Sequence, residues 1–188
     1  MKVLVLAGSP RKGGNTDILA EEFLKGAAQE GAEIEKVYLD DFRIRPIGEV
    51  ADTPAERVDT RADDDFLRVF EKFLVADIVC FASPVYWQGV TAQLKCFIDR
   101  FSAYAMKPQY RETIRAKAYA VIATFAGSGE GHWVLDSLRA SVDFIDGKYV
   151  GEVSVQVRAK GAVKSNAAAM SAARDLGRKA VSSMPEPP

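Results

Sequence analysis

Apolar runs alternate with helical patterns five times along these 188 residues, and this alternation constrains the fold more than any other feature. Three runs, at residues 3–7, 78–82 and 119–126, are nearly continuous in apolar side chains, as in strands buried on both faces. The runs at residues 33–39 and 153–157 carry charged or polar residues at alternate positions, as in edge strands. The pattern predicts an α/β protein with a five-stranded, mostly parallel sheet and helices on both faces.

The distinction between inner and edge strands also predicts the strand order 2-1-3-4-5 of a doubly wound, flavodoxin-like sheet. In this order a ligand lies beyond the carboxyl ends of the strands, at the switch point between strands one and three. After the first helix, apolar seams at helical spacing predict further helices near Phe66, Leu94, Leu135 and Ala169. We interpret the aromatic stripe that begins at Phe66 as core.

Length and charge limit the organisation and the partners of the chain. A chain of 188 residues suits one domain, over 1–183, with a proline-rich flexible tail at 184–188. With 25 basic and 26 acidic residues, the net charge of −1 provides no global attraction for nucleic acid or an anionic membrane. The N-terminus runs directly into a strand, and nothing later reaches transmembrane length. We expect a cytoplasmic protein without nucleic-acid or membrane partners.

Several isolated residues have ordinary structural interpretations. Cys80 and Cys96 are neither closely spaced nor accompanied by a histidine pair, which predicts buried thiols and no metal site. The charges from Lys95 to Arg100 are typical of a solvated helix face with an i,i+4 ion pair; the alternative is a role in dimerisation or cofactor orientation. The lone His132 is predicted on an ordinary surface, because no Gly-x-Ser-x-Gly elbow precedes it.

The loop after the first strand, residues 8–16, concentrates groups that bind anions. Its glycines allow backbone N–H groups to turn inward, and Ser9, Asn15 and Thr16 add side-chain donors at a helix N-terminus. It lacks the Gly-x-Gly-x-x-Gly spacing of dinucleotide sites, and Gly14 and Asn15 stand where a Walker loop requires Lys-Ser/Thr. The loop therefore predicts a phosphate site of another class.

Three charged residues in or next to this loop differ in how well they suit a phosphate ligand. Arg11 suits a phosphate better than Lys12, because its planar guanidinium can donate two parallel hydrogen bonds. We expect Lys12 to point into solvent. Asp17, in the first turn of the helix, repels a phosphate unless it is turned away, and the sequence leaves both orientations open.

The loops after strands three and four are also unusual. Pro84 ends the third strand, and Tyr86 and Trp87 follow where a solvent-exposed loop is normally polar. Tyrosine and tryptophan offer broad stacking faces with a polar atom, so an aromatic wall beside the anion site of residues 8–16 favours a planar ligand that bears a phosphate. The alternative is a strand end whose aromatic side chains cover the core. The glycine-rich residues 127–131 allow the backbone to approach the edge of a ring system closely.

Together the loops resemble those of the flavodoxin-like NAD(P)H-dependent FMN reductases, relatives of the quinone reductases and iron-sulfur flavoproteins. The likeness covers nearly the whole chain and is strongest at residues 8–16, 83–87 and 94–100. It implies FMN as cofactor, NAD(P)H as co-substrate and a homodimer or homotetramer. The cofactor-binding residues that the resemblance implies are Ser9, Arg11, Gly14, Asn15 and Thr16 for the phosphate, Pro84, Val85, Tyr86 and Trp87 for the isoalloxazine, and Gly127, Ser128 and Gly129 for its pyrimidine edge.

The resemblance also implies an activity, with one departure. Iron-sulfur relatives carry a cysteine cluster after the second strand, but residues 40–65 contain no cysteine, so that metal chemistry is not carried over. The implied reaction is hydride transfer from NAD(P)H through FMN to a small acceptor such as a flavin or quinone, in ping-pong order and without a catalytic side chain. The alternative is a flavodoxin-type electron carrier, which usually has a strongly acidic surface that this balanced chain lacks.

The sequence leaves four points open. These are the acceptor, the choice between NADH and NADPH, whether FMN is a prosthetic group or a substrate, and the role of residues 43–62. That segment exceeds an ordinary connection in length, so it is either a functional excursion or disordered.

Overall fold

The computed structural model describes residues 1–48, 63–127 and 131–185. Five parallel strands form one sheet in the order β2-β1-β3-β4-β5, which confirms the predicted topology. The strands are β1 (Lys2–Ala7), β2 (Glu33–Tyr38), β3 (Ile78–Pro84), β4 (Ala118–Phe125) and β5 (Lys148–Gln156). The α-helices of the described residues are α1 (Asn15–Gln29), α2 (Phe66–Val75), α3 (Ala92–Ala105), α4 (Pro108–Arg115), α5 (His132–Phe144) and α6 (Ala167–Ser182).

Burial along the strands follows the sequence pattern. Almost every residue of β1, β3 and β4 is buried, whereas β2 and β5 are mostly exposed or half-buried. Side chains alternate across the sheet, so Val3 and Val5 face α1 and α6, while Leu4 and Leu6 face the layer of α2, α3 and α5. The sheet is therefore covered on both faces, as predicted.

Helix α4 is an element that the sequence pattern did not predict. It contains a single buried residue, Ile114, and its other positions are largely polar, so it lacks an apolar seam. Pro108 stands at its N-terminus, where proline is compatible with helical geometry. Such a short helix is fixed by its packing against the rest of the protein rather than by periodicity.

Helices α1 and α6 cross at unusually close range. A Cβ atom on Gly26 would lie 1.9 Å from the carbonyl oxygen of Arg174, and one on Gly177 would lie 2.0 Å from that of Phe23. The buried carboxylate of Glu22 accepts a hydrogen bond of 2.9 Å from Nε of Arg174 across the same crossing. This contact places the segment that precedes α6 beside the N-terminus of α1.

The charged residues of α3 have different environments. Lys95 and Asp99 form the predicted i,i+4 ion pair, at 2.5 Å. The prediction that Arg100 lies on a solvated face is wrong, because its side chain is fully buried and paired with Asp64. Its guanidinium also lies 4.4 Å from the ring centroid of Phe66, within the aromatic core that was predicted.

Asp64 satisfies several donors at once. Besides Arg100, its carboxylate accepts hydrogen bonds from the backbone N–H groups of Arg45 and Phe66, at 2.9 and 3.0 Å. Burial alone raises the pKa of Asp64, but these hydrogen bonds outweigh burial and leave the pKa below its ordinary value. The Asp64–Arg100 ion pair therefore connects α3 to the residues that precede α2.

Other predictions have mixed outcomes. Cys80 is buried as predicted, and burial raises its thiol pKa, but Cys96 is only half-buried. Residues 49–62, most of the long connection, lie outside the described residues, as do residues 186–188 of the tail. Over the part of the chain that the structure describes, no helix combines the length and apolar character needed to cross a membrane.

Candidate functional site

A cleft opens at the carboxyl edge of the sheet, next to the switch point between β1 and β3. It encloses about 520 Å³, including the space at its open mouth. Loops that follow β1, β3, β4 and β5 meet there, because parallel strands end at the same edge. The cleft is lined by Ser9, Arg11, Gly14, Asn15, Thr16, Pro84, Val85, Tyr86, Thr124, Phe125, Ala126, Val157, Arg158 and Lys160.

The N-terminus of α1 borders this cleft without a side-chain cap. Gly14 is the N-cap residue, and a Cβ atom there would lie 2.8 Å from the carbonyl oxygen of Arg11. Gly13 has a φ of +71°, which favours glycine, and Ser9 Oγ accepts a 3.1 Å hydrogen bond from the Arg11 N–H. The loop thus folds tightly and leaves the positive end of the helix dipole available to an anion.

The structure decides the orientation of Asp17. Its buried carboxylate accepts hydrogen bonds from the Gly13 N–H and from Lys36 Nζ, both at 2.7 Å, and from the Tyr38 hydroxyl at 3.1 Å. Burial by itself lowers the pKa of Lys36, but the hydrogen bonds to Asp17 and Glu21 outweigh it, so the pKa is raised and Lys36 stays charged. Asp17 is thus turned away from the cleft. Lys36 balances its charge, and its hydrogen bond to the Gly13 N–H stabilises the loop.

Arg11 and Lys12 lie in different surroundings. Arg11 lines the cleft and, among the described residues, makes no ion pair. Lys12 is exposed, as predicted, but its Nζ forms an ion pair with Oδ2 of Asp41 at 2.7 Å. The same Nζ lies 4.8 Å from the ring centroid of Tyr38. The hydrogen bond to Asp41 raises the pKa of Lys12. Lys12 therefore belongs to a surface ion pair outside the cleft.

The side chains of Asn15 and Thr16 are engaged within the protein. Asn15 Nδ2 donates to the carbonyl oxygen of Ala159 at 2.9 Å, and its Oδ1 accepts from the Val163 N–H at 3.2 Å. Thr16 Oγ1 lies 2.5 Å from Thr124 Oγ1 in a buried hydrogen bond. Although their side chains bond to other protein groups, both residues line the cleft from the first turn of α1.

The loop after β3 brings part of the predicted aromatic wall to the cleft. The backbone groups of Tyr86 and Gly89 exchange hydrogen bonds of 2.9 and 3.0 Å, which closes a two-residue turn. The turn residues Trp87 and Gln88 have φ values of +48° and +65°, which are unusual outside glycine. Tyr86 lines the cleft, but Trp87, at the tip of the turn, is fully exposed and is not brought to it.

The loop after β4 is described only in part. Gly127 is exposed, is not among the lining residues, and accepts a 2.7 Å hydrogen bond from Gln156 Nε2 through its carbonyl oxygen. Ser128 and Gly129, the other residues predicted at the pyrimidine edge, lie outside the described residues. Thr124, at the end of β4, lines the cleft although it was not predicted to do so.

Sequence reasoning also missed the wall that follows β5. Val157, Arg158 and Lys160 line the cleft, more than 140 residues after the first loop. The available signal was the position of two cations just beyond the carboxyl end of the last strand. With Arg11 they make three cations, and no described residue that lines the cleft carries a carboxylate. The cleft thus favours an anionic ligand.

A family model described as NADPH-dependent FMN reductase matches residues 1–161. The chain belongs to this family. Members of this family bind FMN and use NAD(P)H as electron donor. The residues present fit FMN, because the uncapped helix and three cations match its phosphate, and Pro84 to Tyr86 form an apolar and aromatic wall for a ring.

The chain is also similar to individual known proteins. The chain is 33% identical to an iron-sulfur flavoprotein of Methanocaldococcus jannaschii over 187 residues, which cover 95% of each protein. It is 37% identical over 110 residues to YwqN of Bacillus subtilis, provisionally named an NAD(P)H-dependent FMN-containing oxidoreductase; this match covers 58% of the chain and 57% of YwqN. The solved Trp repressor binding protein of Bacillus subtilis superimposes with a TM-score of 0.71 at 26% identity, covering 94% of this chain and 99% of that one.

Proposed function

We propose that this chain passes hydride from NAD(P)H through FMN to a small acceptor, a flavin, a quinone or a similar compound. Donor and acceptor use the same open face of the cleft in turn, which gives ping-pong kinetics. The observation that carries the proposal is the cleft itself. It joins an uncapped helix N-terminus and three cations to an aromatic wall at one edge of the sheet.

The residues of the cleft divide into two groups by their roles. Ser9, Arg11 and the first-turn N–H groups of α1 hold the phosphate, since they combine charge with donors at the positive end of a helix. Pro84, Val85 and Tyr86 hold the ring system by contact with its face or edge. Val85 is fixed by a 2.8 Å hydrogen bond from its N–H to the carbonyl oxygen of Thr124, so this wall is anchored to β4.

In the proposed hydride transfer, the main role of the protein is to position the cofactor and the substrates. FMN held by these residues would supply the two-electron redox chemistry that links NAD(P)H to the acceptor. The described lining residues include no aspartate, glutamate or histidine, the side chains that most often act as general acids or bases in enzymes. This composition suits hydride transfer, in which the protein aligns two rings and needs no general base.

The proposal is tested by anaerobic titration of the FMN-loaded protein with NADH and with NADPH. We expect at least one nucleotide to bleach the flavin absorption, and a quinone or free FMN to restore it. Steady-state rates at several fixed acceptor concentrations should give parallel double-reciprocal lines. If FMN binds but neither nucleotide bleaches it, the reductase proposal fails and a flavodoxin-type carrier becomes the better description.

Arg11→Ala should weaken FMN binding about tenfold or more, because a charge-assisted hydrogen bond contributes roughly 1.5–3 kcal/mol. Lys12→Ala is the matched control. It removes an adjacent cation whose ammonium group is held by Asp41, so FMN affinity should change less than about threefold. Both dissociation constants are measured by quenching of FMN fluorescence. Equal losses for the two variants would contradict the roles assigned here.

Assembly is a separate part of the proposal. The homodimer or homotetramer that the family resemblance implies stays a prediction, and the titration with NADH and with NADPH decides which nucleotide is the donor.

A further inference from the structure

The segment after β5, residues 157–163, is here called the cationic loop. It supplies Arg158 and Lys160 to the cleft, and both side chains are otherwise exposed. Neither forms an ion pair with any described residue. Among the described residues no acidic side chain therefore neutralises their charges, which are available to an anion in the cleft.

The carboxamide of Asn15 holds the cationic loop in place. Its Nδ2 donates to the carbonyl oxygen of Ala159, the residue between the two cations, at 2.9 Å. Its Oδ1 accepts from the N–H of Val163 at 3.2 Å. One side chain in the first turn of α1 thus bonds the loop at two points, and both functional atoms of that side chain are used.

The loop is supported from its other side as well. The N–H of Val157 donates to the carbonyl oxygen of Phe125 at 2.7 Å, which continues the pairing of β5 with β4. Gly161 has a φ of +76°, and the N–H of Ala162 bonds back to the Ala159 carbonyl oxygen at 3.2 Å. The backbone around both cations is therefore fixed relative to the N-terminus of α1.

We propose that Arg158 and Lys160 bind the phosphate of FMN, and that Asn15 acts as a positioning residue that aligns them instead of contacting the phosphate through its amide. This inference rests on the proposed function of the cleft. A phosphate monoester carries close to two negative charges at neutral pH. Cations from both ends of the chain then surround it, with Arg11 on one side and the cationic loop on the other.

The experiment compares FMN with riboflavin, which lacks the phosphate, as ligands of the apoprotein. Arg158→Gln and Lys160→Gln should each weaken FMN binding about fivefold to tenfold and leave riboflavin binding unchanged. Lys164→Gln is the matched control, since it removes an exposed cation close by that does not line the cleft. It should leave the affinities for both ligands unchanged.

A double-mutant cycle tests the role of Asn15. Asn15→Ala should weaken FMN binding about tenfold, and Arg158→Gln added to it should cost less than about a further twofold, because the guanidinium is no longer aligned. Retained riboflavin binding shows that each variant is folded. Full additivity of the two changes would show that Asn15 does not act through Arg158 and would overturn its positioning role.

The two possible failures are distinguishable. If the wild-type protein prefers FMN to riboflavin and is bleached by NAD(P)H, but the Arg158 and Lys160 variants keep the same preference, the proposed function stands and this inference is wrong. An effect of Lys164→Gln equal to that of Arg158→Gln would also overturn it. If the wild-type protein does not prefer FMN, the proposed function and this inference fall together.

Discussion

Asp64→Ala should lower the free energy of unfolding by about 3 kcal/mol or more, because it removes a buried carboxylate that pairs with the buried guanidinium of Arg100. Both side chains are fully buried, and the carboxylate also satisfies the N–H groups of Arg45 and Phe66. The loss is measured by urea denaturation followed by circular dichroism. Since the pKa of Asp64 is lowered in the folded chain, the difference from wild type should persist above about pH 5 and shrink below about pH 4.

Asp63→Asn is the control for this prediction. Asp63 is the adjacent acidic residue and pairs with Arg45, but its side chain is 69% exposed. Its loss should cost less than about 1 kcal/mol, as for other surface ion pairs. Adding Arg100→Met to Asp64→Ala should recover part of the stability, because the buried charge is then removed. Similar losses for Asp63→Asn and Asp64→Ala would mean that the Asp64–Arg100 pair is not buried in solution.

Gly177→Ala should destabilise the protein by about 2–3 kcal/mol, although alanine is the better helix former by about 1 kcal/mol. The added methyl would lie 2.0 Å from the carbonyl oxygen of Phe23 and 3.0 Å from the backbone nitrogen of Ala27. These are backbone atoms, so α1 and α6 must move apart to relieve the overlap. Such a movement loosens the face of the sheet that both helices cover.

Gly89→Ala is the control, because it adds the same methyl group at a position where the structure has space for it. A Cβ atom at Gly89 would meet only the carbonyl oxygen of Tyr86, at 3.8 Å. Thermal unfolding should therefore show a large decrease in Tm for Gly177→Ala and a change within about 2 °C for Gly89→Ala. An increase in Tm for Gly177→Ala, as helix propensity alone predicts, would mean that the two helices are farther apart in solution.

The sheet topology and one wall of the cleft could be predicted from local sequence. Continuous apolar runs mark strands buried on both faces, and glycines with donors before a helix mark an anion site, because these patterns follow from backbone geometry and burial. The glycine and donor pattern predicts the first loop of the cleft, and a proline followed by aromatic residues at the end of a strand predicts Pro84 to Tyr86 beside it. The sequence pattern also places Trp87 in this wall. In the structure the turn closed by Tyr86 and Gly89, with a positive φ at Trp87, directs Trp87 away from the cleft.

What only the tertiary structure decided is the set of contacts between distant segments. Arg100 reads as a surface residue from its neighbours, yet its pairing with Asp64, 36 positions earlier, allows it to be buried. Arg158 and Lys160 have no motif around them and reach the cleft because β5 ends beside β4 and Asn15 holds the next loop. Local sequence determines strands, helices and the phosphate-binding turn, whereas the partners of buried charges and the far wall of the cleft depend on which chain segments the packed sheet brings together.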